Sequence, residues 1–220
     1  DHRDLHRLIR RQRQMCIRDR VLILDTDAHA GNGTAEYFYE DPRVLLIDVH
    51  QDPTTLYPGT GFAHQIGSGE GRGFTINIPM PMYAGYDSYQ LAFEAIIEPV
   101  TQEFNPQIII RNGGSDPHFT DELTNLGLTV SGLRMIGEKV RQMAEICQGR
   151  VIDTIGSGYN KKVLPYGWLA LVAGLADWEI DIDEPVPVPT RFQEDSSLGY
   201  TKQAVEEVKR YLAEYWTCLR

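Results

Sequence analysis

Short apolar runs alternate with longer segments that carry apolar residues at helical spacing. Runs at 21–24, 44–47, 108–110 and 150–155 have the length of strands buried on both faces of a parallel sheet. Helical spacing is found in the segments 34–40, 86–104, 131–148, one ending near 176, and 201–216. Strands that alternate with helices imply right-handed crossovers, so the pattern predicts an α/β fold with a mainly parallel sheet.

Polar residues cluster at the point where each predicted strand ends. They are Asp25 to His29, Asp48 to Asp52, Asp116 to His118, and Tyr159. Ligands of open α/β sheets bind outside the carboxyl ends of the strands. One crevice is therefore predicted to gather all four groups.

The segment after the first run carries the residue types of a metal site. In an extended backbone, residues two apart point to the same side, so Asp27 and His29 can share one cation while Asp25 turns towards the sheet. Gly31 and Gly33 then let the chain turn away. The alternative is a polar strand-to-helix turn without a metal. Aspartate and histidine are ligands that Zn²⁺ accepts, and oxygen-rich sites leave Fe²⁺ possible.

Length and composition indicate one globular domain. The chain has 220 residues and a net charge of −10, which argues against binding to nucleic acid and suits a cationic substrate. We expect no membrane association and a cytoplasmic location, because no span or signal-peptide pattern is found. Cys16, Cys147 and Cys218 are too few and too widely spaced for a disulfide framework.

The first twenty residues differ from the remainder of the chain. They hold seven of the 21 Lys and Arg residues and three acids, so residues 21–220 carry a net charge of −14. Residues 15–20 read Met-Cys-Ile-Arg-Asp-Arg, the translation of a transposon end used in sequencing adapters. We predict that 1–20 is not native and that 21–220 is a partial catalytic domain. A natural basic tail is the alternative.

The C-terminal part offers fewer signals. Residues 185–189 are rich in proline and indicate an extended connection, and 201–216 is predicted to be an amphipathic helix that packs on the domain. A helix that binds a partner is the alternative.

Six motifs follow one another in a fixed order, at 25–34, 50–52, 57–61, 77–79, 114–118 and 156–159. Their order and spacing resemble the histone deacetylase-like amidohydrolases, especially bacterial and archaeal members such as acetylpolyamine amidohydrolases and acetoin-utilisation proteins. The resemblance implies the three-layer α/β/α arginase/deacetylase fold, here without its first strand or strands.

The resemblance also implies roles for individual residues. Asp27, His29 and Asp116 match the zinc ligands, and Tyr159, preceded by Gly158, matches the phenol that polarises the substrate carbonyl. The other matches are Asp25 and Asp48 for a structural monovalent cation such as K⁺, and Tyr57 for the aromatic wall of the acyl channel. We expect His50 and His118 to support the ligands without binding the metal.

The implied reaction is hydrolysis of an N-acetyl amide of a lysine or a polyamine to acetate and a free amine. The family has a His-His pair upstream of the first motif, and no such pair occurs here. Without that acid and base, a rate loss of roughly 10²–10⁴ is expected. Smaller departures are Glu122 in place of proline and Ser115 in place of an apolar residue. The alternatives are a non-catalytic module that binds metal or an acyl ligand, and a binuclear manganese ureohydrolase, against which the Tyr159 motif argues.

Overall fold

A computed structural model describes residues 20–220, which fold around one five-stranded parallel sheet. The sheet has the strand order β3-β2-β1-β4-β5. The strands are β1 (Val21–Asp25), β2 (Val44–Gln51), β3 (Thr75–Met80), β4 (Ile108–Gly113) and β5 (Val151–Ile155). The predicted α/β class with a parallel sheet is confirmed.

The strand β3 was not among the four predicted runs. It follows a glycine-rich passage and contains Pro79, both of which argue against a strand in a local pattern. Within the described part of the chain, β3 lies at an edge and pairs with β2 alone, so it can accommodate a residue that lacks an N–H. Burial of Ile76, Ile78 and Met80 then stabilises the strand.

Six α-helices connect or flank the strands in residues 20–220. The helices are α1 (Asn32–Phe38), α2 (Tyr86–Ala92), α3 (Glu98–Phe104), α4 (Val130–Ala144), α5 (Leu164–Ala176) and α6 (Leu198–Leu212). The predicted helix at 86–104 consists of α2, a π-helical turn at Phe93–Ile97 and α3 in succession, and it ends at Asn105 in the left-handed conformation. The longest of these helices have 15 residues, and none in this part of the chain is long and apolar enough to cross a bilayer.

The C-terminal helix was predicted over 201–216, but α6 ends at Leu212. Trp216, which comes after that end, is buried in the core. Its indole N–H donates to the carbonyl of Gly73 at 2.8 Å, and its ring packs against Phe74 and Phe104. The apolar residues after α6 are thus buried by a turn that reaches across to the glycine-rich passage, where the periodicity alone predicted more helix.

The strand order places a topological switch point between β1 and β4. From β1 the chain adds β2 and β3 on one side, and it then crosses back to add β4 and β5 on the other side. Right-handed crossovers therefore put α1 on one face of the sheet and α2, α3 and α4 on the opposite face, and α5 packs against α4. The buried core lies on that second face and includes Leu22, Ile109 and Leu133. In open α/β sheets, ligands bind where the directions diverge, which in this sheet is at the carboxyl ends of β1 and β4.

Candidate metal centre

Three side chains that are far apart in sequence converge at the switch point. Asp27 and His29 follow β1, and Asp116 follows β4, the strand paired with β1 in parallel register. One ligand atom from each of these residues lies within 4.8 Å of the other two. The Nδ1 atom of His29 is 3.0 Å from Asp27 Oδ1 and 3.3 Å from Asp116 Oδ2. The three side chains that the sequence analysis named as ligands thus lie together, and their binding of a metal ion stays a prediction.

Hydrogen bonds from neighbouring loops hold Asp116 in place. Its Oδ1 accepts from the Ser157 hydroxyl at 2.7 Å, its Oδ2 from the N–H of Ala28 at 3.1 Å, and its carbonyl from the Thr124 hydroxyl at 2.5 Å. The side chain is fully buried. Because each donor comes from a different segment, the carboxylate is fixed before any cation arrives.

The charges of the three groups favour a cation. Hydrogen bonds to Asp116 and Asp27 raise the pKa of His29 to about 10. Burial raises the pKa of Asp116 to about 6, although its hydrogen bond with His29 works in the opposite direction. For Asp27, burial is outweighed by hydrogen bonds from His29, and the pKa falls to about 2. Two carboxylates and one imidazole nitrogen form a donor set that fits Zn²⁺ or a similar divalent ion.

The phenol of Tyr159 stands beside this cluster. Its ring centroid is 6.0 Å from that of His29 in an edge-to-face arrangement. The backbone N–H of Tyr159 donates to Asp121 Oδ2 at 2.8 Å, and Gly158 before it has φ +129°. Burial and the charge of Asp116 raise the pKa of the phenol, so at neutral pH it keeps its proton and can donate a hydrogen bond.

A second pair of carboxylates lies behind the cluster. Asp25 and Asp48 are register partners on β1 and β2, and both side chains are buried. Both face Gly31: its N–H donates to Asp48 Oδ2 at 2.7 Å, and a Cβ there would lie 2.8 Å from Asp25 Oδ2. Burial and the charge of Asp48 raise the pKa of Asp25 to about 7. Two adjacent buried carboxylates fit a cation.

The two histidines predicted to support the ligands, His50 and His118, lie outside the ligand cluster. The Nδ1 of buried His50 is 2.7 Å from Asp48 Oδ1, and its Nε2 is 2.9 Å from the carbonyl of Gly61. The Nε2 of buried His118 is 2.9 Å from Glu184 Oε1. Each contacts an acid and not the three-residue cluster. Tyr57 is 79% exposed on the loop after β2, so its role in an acyl channel stays a prediction.

Three residues at or near the site were not among the sequence-based candidates. Ser157 lies inside the motif at 156–159, so its position in the sequence was a signal. Thr124 lies in a loop and Glu184 lies just before the proline-rich connection at 185–189, and no local pattern at either position indicates a role. Only the fold brings them to the site.

The fold and the site define an α/β protein with a candidate centre for one divalent metal ion at its topological switch point. The model of the histone deacetylase domain matches residues 5–175. The chain belongs to the histone deacetylase family. The match begins within the basic segment, and the predicted boundary at residue 20 stays a prediction.

Named relatives are consistent with this assignment. A protein named as a probable deacetylase from Archaeoglobus fulgidus is 42% identical over 208 residues, which cover 92% of this chain and 57% of the relative. Histone deacetylase 10 of rice chloroplasts is 41% identical over 146 residues, 66% of this chain and 32% of its own length. The acetoin utilization protein AcuC of Staphylococcus xylosus is 40% identical over 151 residues, 68% of this chain and 39% of the relative.

Solved structures share the fold. The histone deacetylase Clr3 superposes with a TM-score of 0.79 at 30% identity, over 92% of this chain and 33% of that protein. The HD domain of HDA15 superposes with a TM-score of 0.75 at 27% identity, over 91% of this chain and 52% of the other. The chain therefore spans between about one third and three fifths of the length of these relatives.

Proposed function

We propose that this chain is the part of a zinc-dependent deacetylase that holds the metal and the substrate carbonyl. The reaction is hydrolysis of an N-acetyl amide of a lysine or a polyamine to acetate and a free amine. The observation that carries the proposal is the convergence of Asp27, His29 and Asp116 beside the phenol of Tyr159. Zinc bound by three protein ligands keeps an open position, polarises a carbonyl and lowers the pKa of water to about 7.

The residues of the chain have separate roles in the proposed reaction. Asp27, His29 and Asp116 hold the ion. The hydroxyl of Tyr159 donates a hydrogen bond to the substrate carbonyl oxygen, where negative charge develops during attack. Removing such a donor costs roughly 10²–10³ in turnover in comparable sites. Asp121 accepts the N–H of Tyr159 at 2.8 Å and so fixes the backbone that carries the phenol.

The proposed fragment is catalytically impaired on its own. Deacetylation needs a base that takes the proton of water and an acid that protonates the leaving amine. The chain contains no His-His pair that matches the family's acid and base. We expect turnover to be lower by roughly 10²–10⁴ than in a relative that carries the pair.

Charge supports a cationic substrate and a second cation. The net charge of −10 attracts an amine-bearing substrate over one that is anionic. Asp25 and Asp48 are proposed to hold a monovalent cation such as K⁺, because two adjacent buried carboxylates are otherwise costly to ionise.

The experiment combines metal binding with an activity assay. The 220-residue chain is titrated with Zn²⁺ and assayed on an acetyl-lysine peptide and on an acetylated polyamine. We expect one tightly bound zinc per chain, loss of that zinc in Asp27→Ala, and normal binding in the control Asp181→Ala, whose side chain is exposed. Tyr159→Phe is expected to bind zinc and to lose the measurable turnover. Unchanged zinc binding or unchanged activity in Asp27→Ala would refute the proposal.

A non-catalytic module is the second candidate, and the absence of a His-His pair favours it. This module would bind zinc through the same three ligands and retain an acetylated amine without hydrolysing it. Zinc binding together with saturable binding of the substrate, and no acetate release at stoichiometric enzyme, would favour this function over the first.

A further inference from the structure

The extended segment at 177–189, which follows α5, touches the loop that carries Asp116. This loop, at 114–121, leads from β4 past Asp116 to Asp121. The contact is made by Glu184, whose side chain is 19% exposed. Its Oε1 lies 2.9 Å from Nε2 of His118, a residue 66 positions earlier in the chain. Glu184 lies beyond the matched family domain, which ends at residue 175.

The imidazole of His118 is held on both sides. Its Nδ1 lies 3.2 Å from the backbone N–H of Thr120, which donates to it, and 2.9 Å from the Thr120 hydroxyl. On the other side, Nε2 donates to the carboxylate of Glu184, because a carboxylate oxygen accepts. Glu184 thereby fixes the orientation of the His118 ring.

The second oxygen of Glu184 has a separate partner. Oε2 accepts the N–H of Val130, the first residue of α4, at 2.9 Å. The preceding residue, Thr129, makes no side-chain capping bond, so Glu184 caps this helix from outside. The segment is itself held on α4, because Arg134 donates to the carbonyls of Trp178 and Ile180 at 2.7 Å each. Glu184 is therefore positioned by contacts with α4.

Both ends of the Asp116 loop depend on the place of His118. At its start, the His118 N–H donates to the Ser115 carbonyl at 3.1 Å, beside Asp116. At its end, the His118 carbonyl accepts from the N–H of Asp121 at 2.9 Å, and Asp121 holds the backbone of Tyr159. A displaced His118 moves a metal ligand and the support of the phenol together.

We infer that Glu184 is a positioning residue of the metal centre, acting through its hydrogen bond to His118. Its effect on the metal rests on the proposed function. Its effect on the loop does not, and it can be measured in the metal-free protein. Residues that orient the ligands of a metal typically change its affinity by 10–100-fold when they are replaced.

The experiment uses the full 220-residue chain with Glu184→Ala, Glu184→Gln and the control Asp183→Ala. Asp183 is the exposed neighbour on the same segment, so the control removes the same charge without the contact. Hydrogen exchange is measured at the amides of His118 and Asp121 without metal, and Zn²⁺ affinity is measured by competition with a chelator. Glu184→Ala is expected to speed exchange at both amides at least about tenfold and to weaken zinc about 10–100-fold. Glu184→Gln keeps an acceptor and should recover part of both effects, while Asp183→Ala should change neither.

A double-variant cycle separates positioning from a general loss of stability. In a His118→Ala background, Glu184→Ala should lower the zinc affinity by less than about a further threefold, because the residue through which Glu184 acts is absent. An equal loss in both backgrounds would overturn the inference, as would unchanged exchange in Glu184→Ala. If the unaltered chain binds no zinc, the proposed function fails, and the exchange data still decide whether Glu184 holds the loop.

Discussion

Gly158→Ala tests the turn that places the phenol beside the ligand cluster. Gly158 has φ +129°, a conformation that is accessible to glycine and strained for every L residue. A Cβ at this position would also overlap the hydroxyl of Ser115 and lie 3.2 Å from its Cβ. The substitution must therefore shift the turn before Tyr159.

The expected cost can be assembled from these two contributions. A non-glycine residue in a sparsely populated backbone region costs about 1–3 kcal/mol. Overlap in a packed region adds about 1–3 kcal/mol. We therefore expect Gly158→Ala to lower the free energy of unfolding by about 2–6 kcal/mol. Gly156, two residues earlier in the same turn, has no positive φ and has no heavy atom within 4 Å of its would-be Cβ. Gly156→Ala should change the free energy by at most about 0.5 kcal/mol.

Urea unfolding of the metal-free chain measures both values. Adding Ser115→Ala to Gly158→Ala removes the overlap with the hydroxyl and leaves the backbone strain, so about half of the loss should return. Equal stability of the Gly156 and Gly158 variants would refute the reasoning, because the turn would then not have the conformation that brings Tyr159 to His29. Full recovery in the double variant would show that the backbone strain is absent.

Three further predictions concern the core and the site. Asp153→Ala removes the acceptor 2.8 Å from Nε of buried Arg111 and should lower the free energy of unfolding in urea by about 3 kcal/mol. The double variant Asp153→Leu with Arg111→Met should restore most of this stability. At pH 7, zinc binding should release about one proton, because the pKa of His29 is about 10 and its Nδ1 must lose a proton to bind the metal. Calorimetry in buffers of different ionisation enthalpy measures this proton release. The zinc affinity should also rise about tenfold per pH unit between pH 7 and 10. Trp216→Phe leaves the carbonyl of Gly73 unpaired and should cost about 1–3 kcal/mol, as measured by thermal or urea unfolding. Zinc binding without proton release, or Asp153→Ala at full stability, would contradict the corresponding argument.

The local sequence determined much of this protein. Continuous apolar runs specify strands buried on both faces, and four of the five strands in residues 20–220 are recognisable from them. The alternation with helical segments predicts the parallel sheet. The residue types at the ends of the strands predict the chemistry, because carboxylates and an imidazole two residues apart in an extended backbone point to the same side. In the fold, Asp27 and His29 lie in a bend after β1, where the His29 N–H donates to Asp27 Oδ1 at 2.7 Å and adds to this proximity.

The tertiary structure decided the remaining features. No local pattern places β4 beside β1, yet this pairing brings Asp116 to residues almost 90 positions earlier. The edge strand β3 forms despite Pro79 because β2 offers a partner and a buried face, and α6 ends before Trp216 because the indole finds a carbonyl across the fold. The contact of Glu184 with His118 is likewise decided by the tertiary structure, because the two residues are 66 positions apart. Each of these contacts forms only if two distant segments meet. The order of the strands and the packing of the helices decide which segments meet, and short-range periodicity does not encode either of them.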